Sequence, residues 1–127
     1  MKVSKGEKKA LYGLLKKILV ARDGEKCLRC NKTTSIQISH IYPRGTHRRM
    51  EFDPDNLKLL CLRCHLFWFH KNPMEAWQWL HMTLPADRFK RINLRAATTD
   101  KSPFDYKLYT LFLEQELEKR YQGLLST

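Results

Sequence analysis

Acidic residues are scarce at the front of this chain: residues 1–50 hold 3 Asp and Glu against 13 Lys and Arg. Residues 51–127 are close to balance, with 10 acidic against 11 basic. A basic half of that kind attracts polyanions, and nucleic acid is the commonest one in a cytoplasm. Also missing is any apolar run approaching the roughly 18 residues a membrane span needs. Met1-Lys2-Val3-Ser4-Lys5 is not followed by the hydrophobic stretch of a secretion signal, so the expected location is the cytoplasm. No internal repeat or low-complexity tract is present, which excludes solenoids and linker-like disorder. What is there is ordinary globular material: 127 residues, 43% of them hydrophobic, with a net charge of +11.

The cysteines are few and paired. All 4 fall in two matched units, Cys27-Leu28-Arg29-Cys30 and Cys61-Leu62-Arg63-Cys64. Disulfides are disfavoured in a cytosolic protein, so two such units point to a metal. A two-residue gap lets one tight turn aim two thiolates at a single ion, and a second turn completes a tetrahedron. The expectation is one structural Zn²⁺ held by Cys27, Cys30, Cys61 and Cys64, the alternatives being a redox dithiol or four buried free cysteines. The stretch between the two knuckles is longer than in a plain zinc ribbon, so something is inserted there.

Periodicity supplies the elements. Residues 5–22 predict a basic amphipathic helix with Leu11, Leu14, Leu15, Ile18 and Leu19 on its apolar face, ended by Asp23-Gly24 in a left-handed cap. Ile36–Ile41 alternates as a strand, with Ile36, Ile38 and His40 on one face and Gln37, Ser39 and Ile41 on the other. Thr46–Glu51 is a basic loop, Asp53–Asn56 a turn, and Leu57–Leu60 a short apolar strand. A helical pattern runs from Cys64 to about His70. Asn72 and Pro73 restart a helix that buries Trp77, Leu80 and Leu84. Pro85–Leu94 is also helical, Ser102-Pro103 is a break, and Asp105–Gln122 is a last amphipathic helix, packed on the body or on a second protomer. Phe67, Trp68, Phe69, Trp77 and Trp79 fit a core better than a base-stacking platform. The expected fold class is α+β: one domain over 1–127, with a basic helix at 5–22, a zinc-stapled core at 27–70 and a helical extension at 72–127.

Between the knuckles stand Ser39-His40-Ile41, then Pro43-Arg44-Gly45, then Asp55-Asn56-Leu57 with Leu60-Cys61, and finally Cys64-His65. In this order they resemble the HNH endonuclease family, in a form stapled by a CxxC pair on each side of a ββα-metal hairpin and helix. The likeness spans about residues 27–70; Lys71-Asn72-Pro73-Met74-Glu75-Ala76 adds a looser similarity to phage-type members, including recombination endonucleases. The resemblance implies a metal-dependent endonuclease acting on DNA, in a bacterium or a phage-infected host, with a second copy or a phage complex as partner. The alternative is a zinc-containing nucleic-acid binder that does not cleave, acting in phage recombination or packaging.

The roles follow from what phosphodiester hydrolysis needs. His40 has a pKa suited to taking a proton from water near pH 7. His65 offers a neutral imidazole to a divalent cation, Mg²⁺ or Mn²⁺, that stabilises the leaving oxygen. Asn56 either ties the loop around His40 or ligates that cation. Arg44, Arg48, Arg49 and His47 are candidate phosphate contacts. His81 is expected at the surface. Two departures from the family pattern stand out. The position before the base, a metal-ligating Asp or His in many relatives, is Ser39 here, a weak neutral ligand, so either His65 and Asn56 hold the cation with water and phosphate or the site is impaired. A second metal histidine, four residues after the first in many relatives, falls five residues on at His70, where an ideal helix turns it about 140° away. Only a bulge or an ending helix brings it back.

Overall fold

The computed structural model describes residues 3–98 and 104–125, with side chains to 120. The order is helix α1 (Lys5–Asp23), strand β1 (Ile36–His40), 3₁₀ turns at Arg48–Met50 and Pro54–Asn56, and strand β2 (Leu57–Cys61). A π-helical segment (Arg63–Phe69) follows, then helices α2 (Pro73–Thr83), α3 (Ala86–Ala97) and α4 (Tyr106–Leu125). The class is α+β. None of the described helices is long and apolar enough to cross a membrane.

The two strands pair antiparallel, with Ile36 opposite Cys61 and His40 opposite Leu57. A two-stranded hairpin is marginal alone, so it is packed on every side. On one face Leu11, Leu15, Ile18 and Leu19 of α1 bury against Leu57, Leu59 and Phe52, with Leu113 of α4 closing the cluster. Leu14 packs only at its edge. On the other face Cys27, Leu60, Cys61 and Cys64 form a small core with Leu28, Phe69 and Trp79 around it. A third cluster joins the long β1–β2 connection to α2 and α3 through Ile41, Met50, Leu80, Leu84, Phe89 and Ile92.

Several local expectations meet their physical test here. Ser4 caps α1 by accepting from the Glu7 N–H at 3.2 Å. Gly24 ends α1 with φ of 85° but ψ of 158°, so the stop uses glycine's freedom without the left-handed helical cap. Asn72 stands at the N-cap of α2, but its amide donates backward to the Trp68 carbonyl (3.1 Å) and caps nothing. Trp77 is 40% exposed and Phe67 is 61% exposed, against the expectation of a core role. Phe67 sits on the open side of the π-helical segment, while Trp77 lies edge-on to Tyr42 and tilted against Phe89. Trp68 is the buried one, and it stacks under the Arg29 guanidinium at 3.8 Å. The break expected at Ser102-Pro103 lies outside the described residues. On α4, Leu113 is buried in the body and Leu108, Leu111 and Phe112 are exposed.

Helix α3 positions the turn before β2. Arg88 is buried and donates to the carbonyls of Asp55 (3.0 Å) and Leu57 (2.8 Å), and Arg22 of α1 reaches Pro54 and Leu57 carbonyls, both at 2.8 Å. Arg91 and Arg95 pair with Asp55, and Arg95 also with Asp53. These arginines fasten the segment that carries Asn56.

Candidate active site and zinc knuckles

The four cysteine sulfurs lie within 4.8 Å of one another. Tetrahedral Zn²⁺ with bonds near 2.3 Å places its sulfurs about 3.8 Å apart, and Cys30 and Cys61 are 3.7 Å apart. The donor set, spacing and burial of three of the four residues fit a zinc site. Arg29 directs Nη1 at Cys64 Sγ (3.6 Å), so a cation stands beside sulfurs that would carry surplus negative charge around a divalent ion. The turn geometry helps too, with the Cys64 N–H aimed at Cys61 Sγ at 3.5 Å.

A cleft of about 720 Å³ opens beside the hairpin, walled by Tyr12, Gly13 and Lys16 of α1 on one side and His65, Phe69 and His70 on the other. His40 and Arg44 line it between these walls. A larger depression of about 850 Å³ lies elsewhere, between the Phe52–Asp55 turn and the apolar side of α4, and holds no histidine. Three imidazoles, those of His40, His65 and His70, line the smaller cleft.

His40 ends β1 and is fixed from one nitrogen. Its Nε2 lies 2.9 Å from the Glu51 carbonyl. A carbonyl only accepts, so Nε2 carries the proton and the Nδ1 lone pair is left free. Burial holds His40 below its ordinary value of 6.5; the Glu51 carbonyl works against this, and the Arg44 and Lys58 charges add to it. Glu51 is itself anchored: its carboxylate accepts from Tyr12 Oη at 2.7 Å and pairs with Lys8 at 3.5 Å. The outer helix thus steadies the imidazole through a chain of three residues.

His65 is fixed in the complementary sense. Its Nδ1 donates to Gln37 Oε1 at 2.8 Å, leaving Nε2 unprotonated. Burial, then the neighbouring charges of His70, Lys58 and His40, push its pKa down to about 4, so the neutral ligand form prevails. His70 is brought back to it by the backbone. Arg63–Phe69 closes as a π-helix, with the His70 N–H bonded to the His65 carbonyl five residues earlier at 3.3 Å. The two rings meet edge to face with centroids 4.5 Å apart. The bulge that the spacing demanded is present.

Asn56 is fully buried and fully used. Its Oδ1 accepts from the Tyr42 N–H (2.8 Å), and its Nδ2 donates to the carbonyls of Tyr42 (3.1 Å) and Met50 (3.0 Å). Its own carbonyl accepts from Ile41 at 2.8 Å. These bonds close the base of the long connection immediately after His40. Ser39 is buried as well, with Oγ accepting from Lys58 Nζ at 2.9 Å. Neither side chain is among those lining the cleft.

The four candidate phosphate contacts separate. Arg44 lines the cleft, and it lies 3.8 Å from Glu51. Arg49 lines the larger depression instead, beside Phe52 and Asp53. Arg48 is exposed on its 3₁₀ turn, and His47 rests against the Tyr42 ring at 4.8 Å with Nδ1 held by Thr46 at 2.8 Å. His81 is exposed, its ring edge against Phe89.

Three site residues escape a reading by sequence. Gln37 and Glu51 carry no motif signal, although Gln37 does share the predicted strand face of Ser39. Lys58 hides inside an apolar strand: it is wholly buried, donates to Ser39 and to the His40 carbonyl (3.4 Å), and lies 3.5 Å over the Phe69 ring. Burial pushes its pKa well below the lysine value, with the Arg88 charge adding to the effect.

Among known families, the model described as HNH endonuclease matches residues 27–66, the span from the first knuckle through both strands to His65. No curated protein and no solved structure matches the chain significantly.

Proposed function

We propose, from the premise that residues 27–66 form an HNH endonuclease domain, that this chain hydrolyses phosphodiester bonds of DNA with His40 as general base and one divalent cation held by His65 and His70. The observation that carries the proposal is the pairing of opposite tautomers: His40 presents a free Nδ1 and His65 a free Nε2 beside the same cleft. A base and a ligand need different lone pairs, and each is left free by a bond to the other nitrogen of its ring.

His40, kept neutral by burial, takes the proton of the attacking water at Nδ1. Glu51 holds the ring through Nε2, so the developing imidazolium stays hydrogen-bonded. Arg44 faces the cleft and grips the phosphate flanking the scissile one. His65 and His70 would hold the cation, with Gln37 setting the tautomer of the first; when bound, the cation supplies charge stabilisation at the leaving 3′ oxygen. None of the described carboxylates lines the cleft. Two imidazoles without an oxygen anion suit borderline metals, so Ni²⁺ or Zn²⁺, and to a smaller degree the harder Mn²⁺, should support turnover better than Mg²⁺. Asn56 acts as the clasp of the loop, and Ser39, turned to Lys58, takes no part in ligation.

The absent carboxylate also favours a second reading, a zinc-bearing DNA binder without turnover. A supercoiled plasmid separates the two. With purified protein and Mn²⁺, the nuclease reading expects nicking that falls at least about a hundredfold in His40→Ala, the scale of a lost general base, while zinc content and fold persist. Nicking by His40→Ala at the wild-type rate removes the general-base assignment, and no nicking with any of these metals leaves the binder.

A further inference from the structure

Outside the residues matched to the family, α1 forms one wall of the cleft, and its exposed side has no structural task. Lys9, Gly13 and Lys17 follow one another at intervals of four, and Lys16 lies three beyond Gly13, so the four are neighbours on the helix surface. Lys9 and Lys17 are exposed and Lys16 is half-buried. Lys8 has a carboxylate partner in Glu51, whereas none of the described carboxylates pairs with Lys9, Lys16 or Lys17.

Gly13 is the second observation. Glycine weakens a helix interior relative to alanine, and this one turns no corner. A Cβ placed on it meets nothing within 4 Å, so packing does not require its smallness. It lies on the rim of the cleft, between Tyr12 and Lys16. Bare backbone at that point serves close approach by something from outside the chain.

We infer that the Lys9–Gly13–Lys16–Lys17 side of α1 is a seat for the phosphate backbone of the nucleic acid as it leaves the histidine cleft. The occupant is polyanionic because three unpaired ammonium groups surround the bare spot, and it is continuous with the substrate because Gly13 and Lys16 line the same cleft as His40 and His65. From Lys9 to Lys17 the helix advances about 12 Å, a rail and not a point contact. This rests on the nuclease reading only for the identity of the polyanion.

The test uses the full zinc-loaded chain carrying His40→Ala, without added divalent metal, and a labelled DNA duplex titrated over a range of KCl. Each phosphate contact contributes about 0.9 to the slope of log affinity against log salt. Lys9→Gln, Lys16→Gln and Lys17→Gln together should lower that slope by about two to three. Gly13→Gln, neutral and a better helix former, should weaken binding severalfold with the slope kept and the melting temperature unchanged or raised. An unaltered slope in the folded triple variant, wild-type affinity in Gly13→Gln, or no binding of the duplex at all would overturn the inference. If the triple variant fails to fold, Gly13→Gln decides alone. A native chain that binds duplex through α1 and never cuts it would sink the nuclease reading and leave this one standing. A chain that cuts DNA with the salt slope unchanged in the triple variant does the reverse.

Discussion

Lys58 is the residue whose chemistry is most at odds with its place. An ammonium buried this completely costs several kcal/mol unless it is well partnered, and this one has a serine hydroxyl, a long bond to a carbonyl and an aromatic face, but no carboxylate. What it does for the site is electrostatic. In its protonated form its charge lowers the pKa of both His40 and His65, which favours the neutral imidazoles that the proposed base and ligand require. The sign can be worked through: as the proposed base His40 would act when unprotonated, and its folded value lies below 6.5. Cleavage should therefore persist below pH 6.5 and fail only as pH drops through the depressed value. Lys58→Met keeps the length of the side chain and removes the charge. One of the causes lowering His40 is then gone, so the acid limb of the rate profile should move to higher pH and the ratio of rates at pH 6 and pH 8 should fall. A limb that stays in place while the variant folds would show that the amine exerts no field on the base.

At the scale of an element, the π-helical segment explains how an unfavourable spacing becomes usable. In an α-helix the residue five beyond His65 points away; widening the turn to an i→i+5 bond returns His70 to the same side. One residue is then surplus, and the exposed Phe67 is the natural candidate, since nothing in the core depends on it. Deleting Phe67 should let the segment close as an α-helix, with the second imidazole now four residues after the first and Trp68 still beneath Arg29. Such a deletion should fold and keep its dependence on added metal, whereas His70→Ala should lose affinity for that metal by about 10- to 100-fold or more. Loss of zinc or of fold on deletion would mean that the wide turn is needed for more than register. The same element shows what sequence could and could not disclose. The CxxC pairs, the alternation of Ile36–His40 and the period of α1 are local signals, and each marks its element directly. The position of His70 was conditional on a bulge, because backbone widening depends on what Trp68 and Phe69 pack against. Lys58 was invisible because its neighbours make Leu57–Cys61 look uniformly apolar, and only the pairing register opposite Ser39 shows where the amine goes. Asn56 was legible as a residue and ambiguous as a role, and the three hydrogen bonds of its side chain are ones that no spacing encodes.

With zinc held by its four cysteines, the whole molecule would hang on the two CxxC turns more than on any one cluster of apolar side chains. Two of the three clusters are built on a hairpin of two five-residue strands, and the third starts at Ile41 directly after β1; such a hairpin has little stability of its own. Both knuckles grip it: the first through the Leu28 N–H bonded to the Leu59 carbonyl at 2.9 Å, the second by continuing β2 directly into Cys61 and Cys64. The segment that carries Cys64 also carries His65, so loss of the staple releases the cleft wall together with the core. Structural zinc contributes about 10–16 kcal/mol of apparent folding free energy in small domains, as much as the entire stability of a typical one, roughly 5–15 kcal/mol. One tightly held zinc per chain is therefore expected by metal analysis. In Cys61→Ala, or after prolonged chelation, the near-ultraviolet signal of the packed Trp68 and Trp79 should disappear, while part of the far-ultraviolet helical signal from α1 and α4 remains. Plasmid nicking should be lost over the same range of chelator, and readded zinc should restore both to the wild-type chain but not to the variant. A Cys61→Ala protein that melts like the wild type would mean that the three apolar clusters suffice, and that the sulfurs are merely near one another.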